Sequence, residues 1–192
     1  MAAPASISTH VAAIQGKFKV LKKTEFRGEA TLDVERAEIK DLARFCRDTL
    51  GFIFLLDLSG VDNFGQEPRF EVVYELYHFD QGLHLRLKIK VSEDELEVPT
   101  VSDIWATADW HEREAYDMYG IKFGGHPELK RILMWEGYPF YPLRKDFPLA
   151  GRPSEMPDVA FSKPAPLAGG PFVTVPSTET TKDREPRSRE IV

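Results

Sequence analysis

Residues Leu83 to Val91 alternate without a break. Leu83, Leu85, Leu87, Ile89 and Val91 are apolar, and His84, Arg86, Lys88 and Lys90 between them are basic. Successive side chains of an extended chain point to opposite faces. This segment is therefore a strand with one apolar and one basic face. It requires a sheet with one covered side and one side turned to solvent or to a partner.

The rest of the chain is organised around that strand. Ile7, Val11, Ile14 and Phe18 recur at helical spacing, and residues 17–26 read as a strand. Ala30, Leu32 and Val34 alternate as another strand. Ile39, Leu42, Phe45, Cys46 and Leu50 mark a second helix, with Gly51 at its C-terminal end. Phe52 to Leu58 reads as a buried strand, Ser59 to Pro68 as a turn-rich loop, and Arg69 to Phe79 as a strand. Pro99 interrupts the chain. Thr100 and Asp103 have capping-box spacing and predict a third helix from there to about Tyr119, ended by Gly120. The expected fold class is α+β, with helices packed on a mixed, largely antiparallel sheet.

Proline sets the domain limit. Eight of the 14 prolines fall in the last 45 residues, from Pro148 to Pro186. Proline lacks a backbone donor and restricts the residue before it, so this stretch is neither helix nor central strand. The expectation is an α+β domain over residues 1–147 and an extended proline-rich tail over 148–192. No internal repeat is present.

Composition removes several function classes. Asp and Glu outnumber Lys and Arg, 31 to 25, for a formal charge of −6 in 192 residues. That balance argues against a nucleic-acid partner, which calls for clustered positive charge. The single cysteine, Cys46, excludes an internal disulfide and any four-cysteine zinc or iron–sulfur site within the chain. Cys46 lies on the apolar stripe of the second helix and reads as a small buried hydrophobe. No stretch approaches the roughly 20 apolar residues that cross a bilayer. The N-terminal residues lack a basic region followed by an apolar core. Contact with a membrane is expected only through a partner.

Motifs for catalysis are missing. His111-Glu112 starts like a zincin helix, but position 115 is alanine where the second ligand belongs. There is no Walker loop, G-x-G-x-x-G or G-x-S-x-G motif, and Asp57 to Glu67 fails as an EF-hand at Val61. The charged density lies in residues 109–147. On a helix, Arg113 stands four residues from both Asp109 and Asp117, which predicts a three-charge ladder on one face. Glu112 and Glu114 splay to different sides. His126 beside Pro127 reads as a hydrogen-bonded turn residue. Trp135, Tyr138, Phe140 and Tyr141 stand among Pro139 and Pro142, where regular structure is blocked. These aromatics either fold back on the body or dock on another protein. Arg144, Lys145 and Asp146 close the run, and the Arg144 fork suits an interface ion pair.

The run EREAYDMYGIKFGGHPELKRIL, followed by PLRKDFP, closely resembles the signature of the respiratory complex I 30-kDa subunit family, the C-type subunits of bacterial NADH:quinone oxidoreductase. Glu112, Arg113, Glu114, Asp117, Tyr119, Gly120, Ile121, Phe123, Gly125, His126, Pro127, Leu129, Arg131, Ile132 and Leu133 fill the first block without a gap. Pro142, Leu143, Arg144, Lys145 and Asp146 fill the second. The upstream LLDLSGVD, RFEVVYELY and LRLKIKV segments resemble the family's sheet, so the likeness covers about residues 10–150. One departure is WEGYPFY, aromatic where the family is usually acidic.

The resemblance implies a structural and assembly subunit of the hydrophilic arm of a proton-translocating NADH:quinone oxidoreductase, with no cofactor of its own. FMN and iron–sulfur clusters would belong to partner subunits. The implied partners are the large D-type subunit and other hydrophilic-arm subunits. The implied location is the cytoplasmic side of the cell inner membrane, as a peripheral component. The residues implied to fix the helix–turn geometry and the partner interface are Glu112, Arg113, Glu114, Asp117, Gly120, His126, Pro127, Arg131, Arg144, Lys145 and Asp146. Three rival readings stand beside it. One is the equivalent subunit of a membrane-bound hydrogenase or a ferredoxin-fed quinone oxidoreductase. Another is a stand-alone acid/base enzyme using Glu112, Glu114 and His126. The third is a binding module whose basic face (Arg86, Lys88, Lys90) meets an acidic ligand.

Overall fold

A computed structural model describes residues 6–149. The described residues fall into two units, divided between Glu136 and Gly137. The expected tail over 148–192 lies almost wholly outside the described residues.

In the first unit the elements run α1 (Ile7–Gln15), β1 (Val20–Phe26), β2 (Glu29–Val34), a 3-10 turn (Arg36–Glu38), α2 (Ile39–Asp48), β3 (Phe54–Asp62), β4 (Phe70–His78), β5 (Leu83–Val91), β6 (Glu97–Pro99), α3 (Ala108–Tyr119) and β7 (Lys122–Gly124). The main sheet has the order β1-β2-β5-β4-β3. Its pairs are antiparallel except β2 with β5, which is parallel. The fold is α+β with a mixed, mostly antiparallel sheet, as the pattern of elements predicts.

The alternation in β5 sets the layering. Leu85, Leu87 and Ile89 lie opposite Leu76, Tyr74 and Val72 of β4, and Leu85 and Leu87 lie opposite Ala30 and Leu32 of β2. These residues form one core with Val11 and Ile14 of α1, Ile39, Leu42 and Cys46 of α2, and Ala108 and Ala115 of α3. All three helices therefore share one face of the sheet. Cys46 is fully buried, and burial pushes its thiol far above the usual range, so it is inert packing. Gly51, with φ 82°, turns the chain out of α2, and Phe52 N–H reaches back to Cys46 O. Among the described residues no helix is long and apolar enough to cross a membrane.

Three expectations need correction. The strand expected over Phe52–Leu58 begins at Phe54 and runs to Asp62, so four of the ten residues of the expected loop are sheet. It is also an edge strand, and Phe54 and Leu56 are 39% and 40% exposed. An apolar run cannot distinguish an edge from a centre. Gly60 extends the strand because α3 packs directly over it: a Cβ there would lie 2.7 Å from the Tyr119 ring. The third helix begins at Ala108, not at Thr100. The Thr100 side chain is committed elsewhere, and Asp103 pairs with Lys40 and Arg44 of α2. The short parallel pair β6–β7 has no counterpart in the sequence pattern, because three residues carry no readable period.

In the second unit, Tyr138 meets Phe140 edge to face with ring centroids 5.6 Å apart, and Phe140 lies 6.0 Å from Phe147. Arg144 stacks on Tyr141 at 4.7 Å.

Candidate functional site

Helix α3 organises the signature residues. Asp109 in its first turn suits the helix dipole, and Gly120, with φ 81°, closes it. Its inward stripe is Ala108, Glu112, Ala115 and Met118, at spacings of four, three and three. A carboxylate thus occupies a core position. The spacing to Ala108 and Ala115 is the sequence signal for its burial.

The Glu112 side chain is fully buried and bound to the segment after β6. Val101 N–H donates to Oε1 at 2.7 Å, and Thr100 O–H donates to Oε2 at 2.5 Å. These bonds favour the ionised form, but burial acts more strongly. Helped by the charges of Asp109 and Asp103, burial pushes Glu112 up to about 7. Tyr74 of β4 is wholly buried, and its hydroxyl has no hydrogen-bond partner among the described residues. Burial together with the Glu112 charge raises it well above the usual tyrosine range. Thr100 and Tyr74 belong to this site although sequence reasoning does not find them; local spacing marks Thr100 as a helix cap instead.

Asp117 is the second buried carboxylate. Arg131 Nη1 donates to its Oδ1 at 2.6 Å and also to its backbone carbonyl at 2.9 Å. The backbone N–H groups of Ile132, Leu133 and Met134 all donate to Oδ2, at 3.0, 2.7 and 2.9 Å. One carboxylate therefore shapes the loop after Arg131 as a bound anion would shape a nest of amides. The loop turns Leu133 outward, 62% exposed.

The expected Asp109–Arg113–Asp117 ladder does not form. Asp117 is taken by Arg131 and the loop, and Asp109 Oδ1 lies 3.0 Å from His126 Nε2. Arg113 instead stacks on Trp110 at 4.9 Å and donates to Lys130 O. Helical spacing makes such pairs possible, but the segment after β7 brings His126 to Asp109 and Arg131 with three amides to Asp117 instead. His126 is a hydrogen-bonded turn residue, as expected: its Nδ1 accepts Glu128 N–H at 3.0 Å, and its ring is fully shielded. Pro127 and Glu114 are exposed. In the second unit Lys145 and Asp146 are exposed and Arg144 is half-buried.

The geometry separates the rival readings. Glu112 is inside and Glu114 outside, so they form no carboxylate pair. Glu112 Oε2 does lie 3.9 Å from His126 Nε2. The basic face of β5 is matched by acids: Arg86 pairs with Glu75, and Lys88 with Glu71 at 2.6 Å. Two of the three cations on that face are thus neutralised across strands, and Lys90 is exposed. Among the described residues no group of three or more His, Cys, Asp or Glu is placed to hold a metal ion.

Comparison with known proteins bears on these residues directly. The family model described as respiratory-chain NADH dehydrogenase, 30 Kd subunit, matches residues 32–153. The NADH-quinone oxidoreductase C-type subunit 2 of Rhizobium meliloti is 43% identical over 161 residues, covering 82% of this chain and 88% of that protein. The NADH-quinone oxidoreductase C-type subunit of Roseiflexus castenholzii is 47% identical over 145 residues, covering 74% and 80%. Among solved structures, a trypsin-resistant fragment of Nqo5 is 29% identical with a TM-score of 0.57, covering 64% of this chain and 98% of the fragment. A chain of an archaeal respiratory membrane complex, the membrane-bound sulfane sulfur reductase, is 26% identical with a TM-score of 0.65, covering 74% and 85%.

Proposed function

The chain belongs to the respiratory-chain NADH dehydrogenase 30 Kd subunit family, and from that premise we propose that it works as a scaffold subunit in the hydrophilic arm of an NADH:quinone oxidoreductase. Oxidoreduction is the activity of the whole complex. This chain supplies shape and contact surfaces to it. Its partners are other subunits of the complex, with the large D-type subunit as the first neighbour, and FMN and iron–sulfur clusters reside in partner chains. It is a peripheral component of a membrane complex, on the cytoplasmic side of the cell inner membrane. We assign residues 1–147 to the scaffold domain and 148–192 to a tail that runs over neighbouring subunits.

One observation carries this reading. The buried signature carboxylates Glu112 and Asp117 are committed to holding neighbouring segments of this chain, the loop that Asp117 shapes presents Leu133 outward, and Arg113 stacks on the exposed Trp110. Tryptophan and arginine side chains are enriched among the anchors of protein interfaces. The test is a Trp110→Asp/Leu133→Asp variant. Both positions are exposed, so the isolated chain should keep its fold. Recovery of the complete arm, pulled down through a tag on a different subunit, should fall sharply. Normal recovery of a fully assembled arm would refute the assignment.

A further inference from the structure

We propose that Ser102, Thr100 and Glu112 form a proton-exchange chain, in which Glu112 binds a proton delivered from solvent through two hydroxyls while the surrounding fold stays closed. The three groups are in line. Ser102 Oγ lies 2.8 Å from Thr100 Oγ1, which lies 2.5 Å from Glu112 Oε2. The inner end is sealed, since the Glu112 side chain is fully buried and Thr100 is 1% exposed. The outer end is half-buried at Ser102.

Both protonation states fit the same heavy-atom positions. With Glu112 ionised, Thr100 O–H donates to Oε2, and Thr100 Oγ1 accepts from Ser102 O–H and from Ser102 N–H at 3.1 Å. With Glu112 protonated, its own O–H donates to Thr100 Oγ1 and Thr100 O–H turns to Ser102 Oγ. Two hydroxyl rotations reverse the chain and leave the Ser102 O–H to solvent at the half-buried outer end. The balance is simple: one proton leaves a water or buffer molecule, and one carboxylate becomes a carboxylic acid.

Glu112 faces titratable groups from several elements. His126 Nε2 is 3.9 Å away, but its Nδ1 accepts Glu128 N–H, so the ring proton is on Nε2 and points to Asp109. The other groups facing Glu112 are Asp109 on α3, Asp103 in the segment before α3, and the Tyr74 hydroxyl on β4. Asp103 is already paired with Lys40 and Arg44. Among the described residues no lysine or arginine pairs with Glu112; its ionised form is held by Thr100 O–H and Val101 N–H. Burial and the neighbouring carboxylates raise it to about 7, within reach of ordinary cellular pH.

The test uses the full chain with the glutamate carboxyl carbon labelled with carbon-13 and followed by NMR across about pH 5 to about pH 9. One resonance should titrate with a midpoint near 7 and vanish in Glu112→Gln. Thr100→Val removes a donor to the ionised form and should raise that midpoint measurably, while Thr100→Ser should restore it. Ser102→Ala keeps the donor but breaks the route, so the midpoint should hold while proton exchange slows at least tenfold and splits the resonance. The inference is overturned if no glutamate titrates near 7 in the wild type. It is equally overturned if Thr100→Val leaves the midpoint unchanged or Ser102→Ala leaves proton exchange unchanged. The wild-type and Thr100→Ser readings stand even if Glu112→Gln does not fold.

Discussion

Replacing Asp117 by asparagine removes one oxygen and one charge while keeping the shape. The carboxylate takes Arg131 on Oδ1 and three loop amides on Oδ2, so all of its polar neighbours are donors. An amide must turn its NH2 toward one of these sets, and either choice sets donor against donor. Asp117 is fully buried and Arg131 is 11% exposed, so the charge pair between them is lost in a poorly hydrated place. Breaking a buried pair from one side costs about 3–5 kcal/mol. A domain of this size is stable by about 5–15 kcal/mol, so the chain should still fold while the loop opens. At about 1.4 kcal/mol per tenfold, opening of the Ile132, Leu133 and Met134 amides should accelerate roughly a hundred-fold to a few thousand-fold. Hydrogen exchange read by mass spectrometry on the isolated chain measures this directly. Acceleration of less than about tenfold at those amides, with the α3 core unchanged, would mean that the carboxylate does not shape the loop.

Glu112 also makes stability depend on pH. Its folded value is about 7 against an ordinary 4.5, so the native state holds a proton that the unfolded chain has released. This stabilisation is complete below about pH 4.5 and is lost as pH rises through about 7; it is worth about 3 kcal/mol at about 1.36 kcal/mol per pH unit. Denaturation of Glu112→Gln compared with wild type at about pH 5 and about pH 8.5 should show the variant gaining on wild type at the higher pH. Gly60→Ala drives a methyl to 2.7 Å from Tyr119 and 3.2 Å from Ile121, and should lower the stability measured by denaturation by about 1–3 kcal/mol. Arg113→Ala removes only an exposed stack on Trp110 and one bond to a carbonyl. It should change the isolated chain's stability by less than about 1 kcal/mol while reducing recovery of the assembled complex in a pull-down.

The elements legible in the sequence are those with a long, clean period. Strand β5 appears with its bounds intact because nine residues alternate, and α2 appears because its apolar stripe recurs through Cys46. Thr100 misleads because a threonine three residues before an acid satisfies a local capping rule. The structure gives that hydroxyl to Glu112, twelve residues away, a competitor that local spacing cannot display. The Asp109–Arg113–Asp117 ladder fails for the same reason. Both acids meet partners brought in by the turn after β7: His126 for Asp109, and Arg131 with the loop amides for Asp117.

The sequence alone determined the class of fold, the one-sided sheet, the inert cysteine and the family, because each rests on residue type repeated at a fixed local interval or on an unbroken signature. Tertiary structure alone decided which charges are buried. Whether a carboxylate at helical spacing meets water, a guanidinium or a row of amides depends on which distant segment folds over it. That choice set Glu112 at the edge of protonation, fastened Asp117 to a loop and left Glu114 in solvent, although the three stand within six residues on one helix.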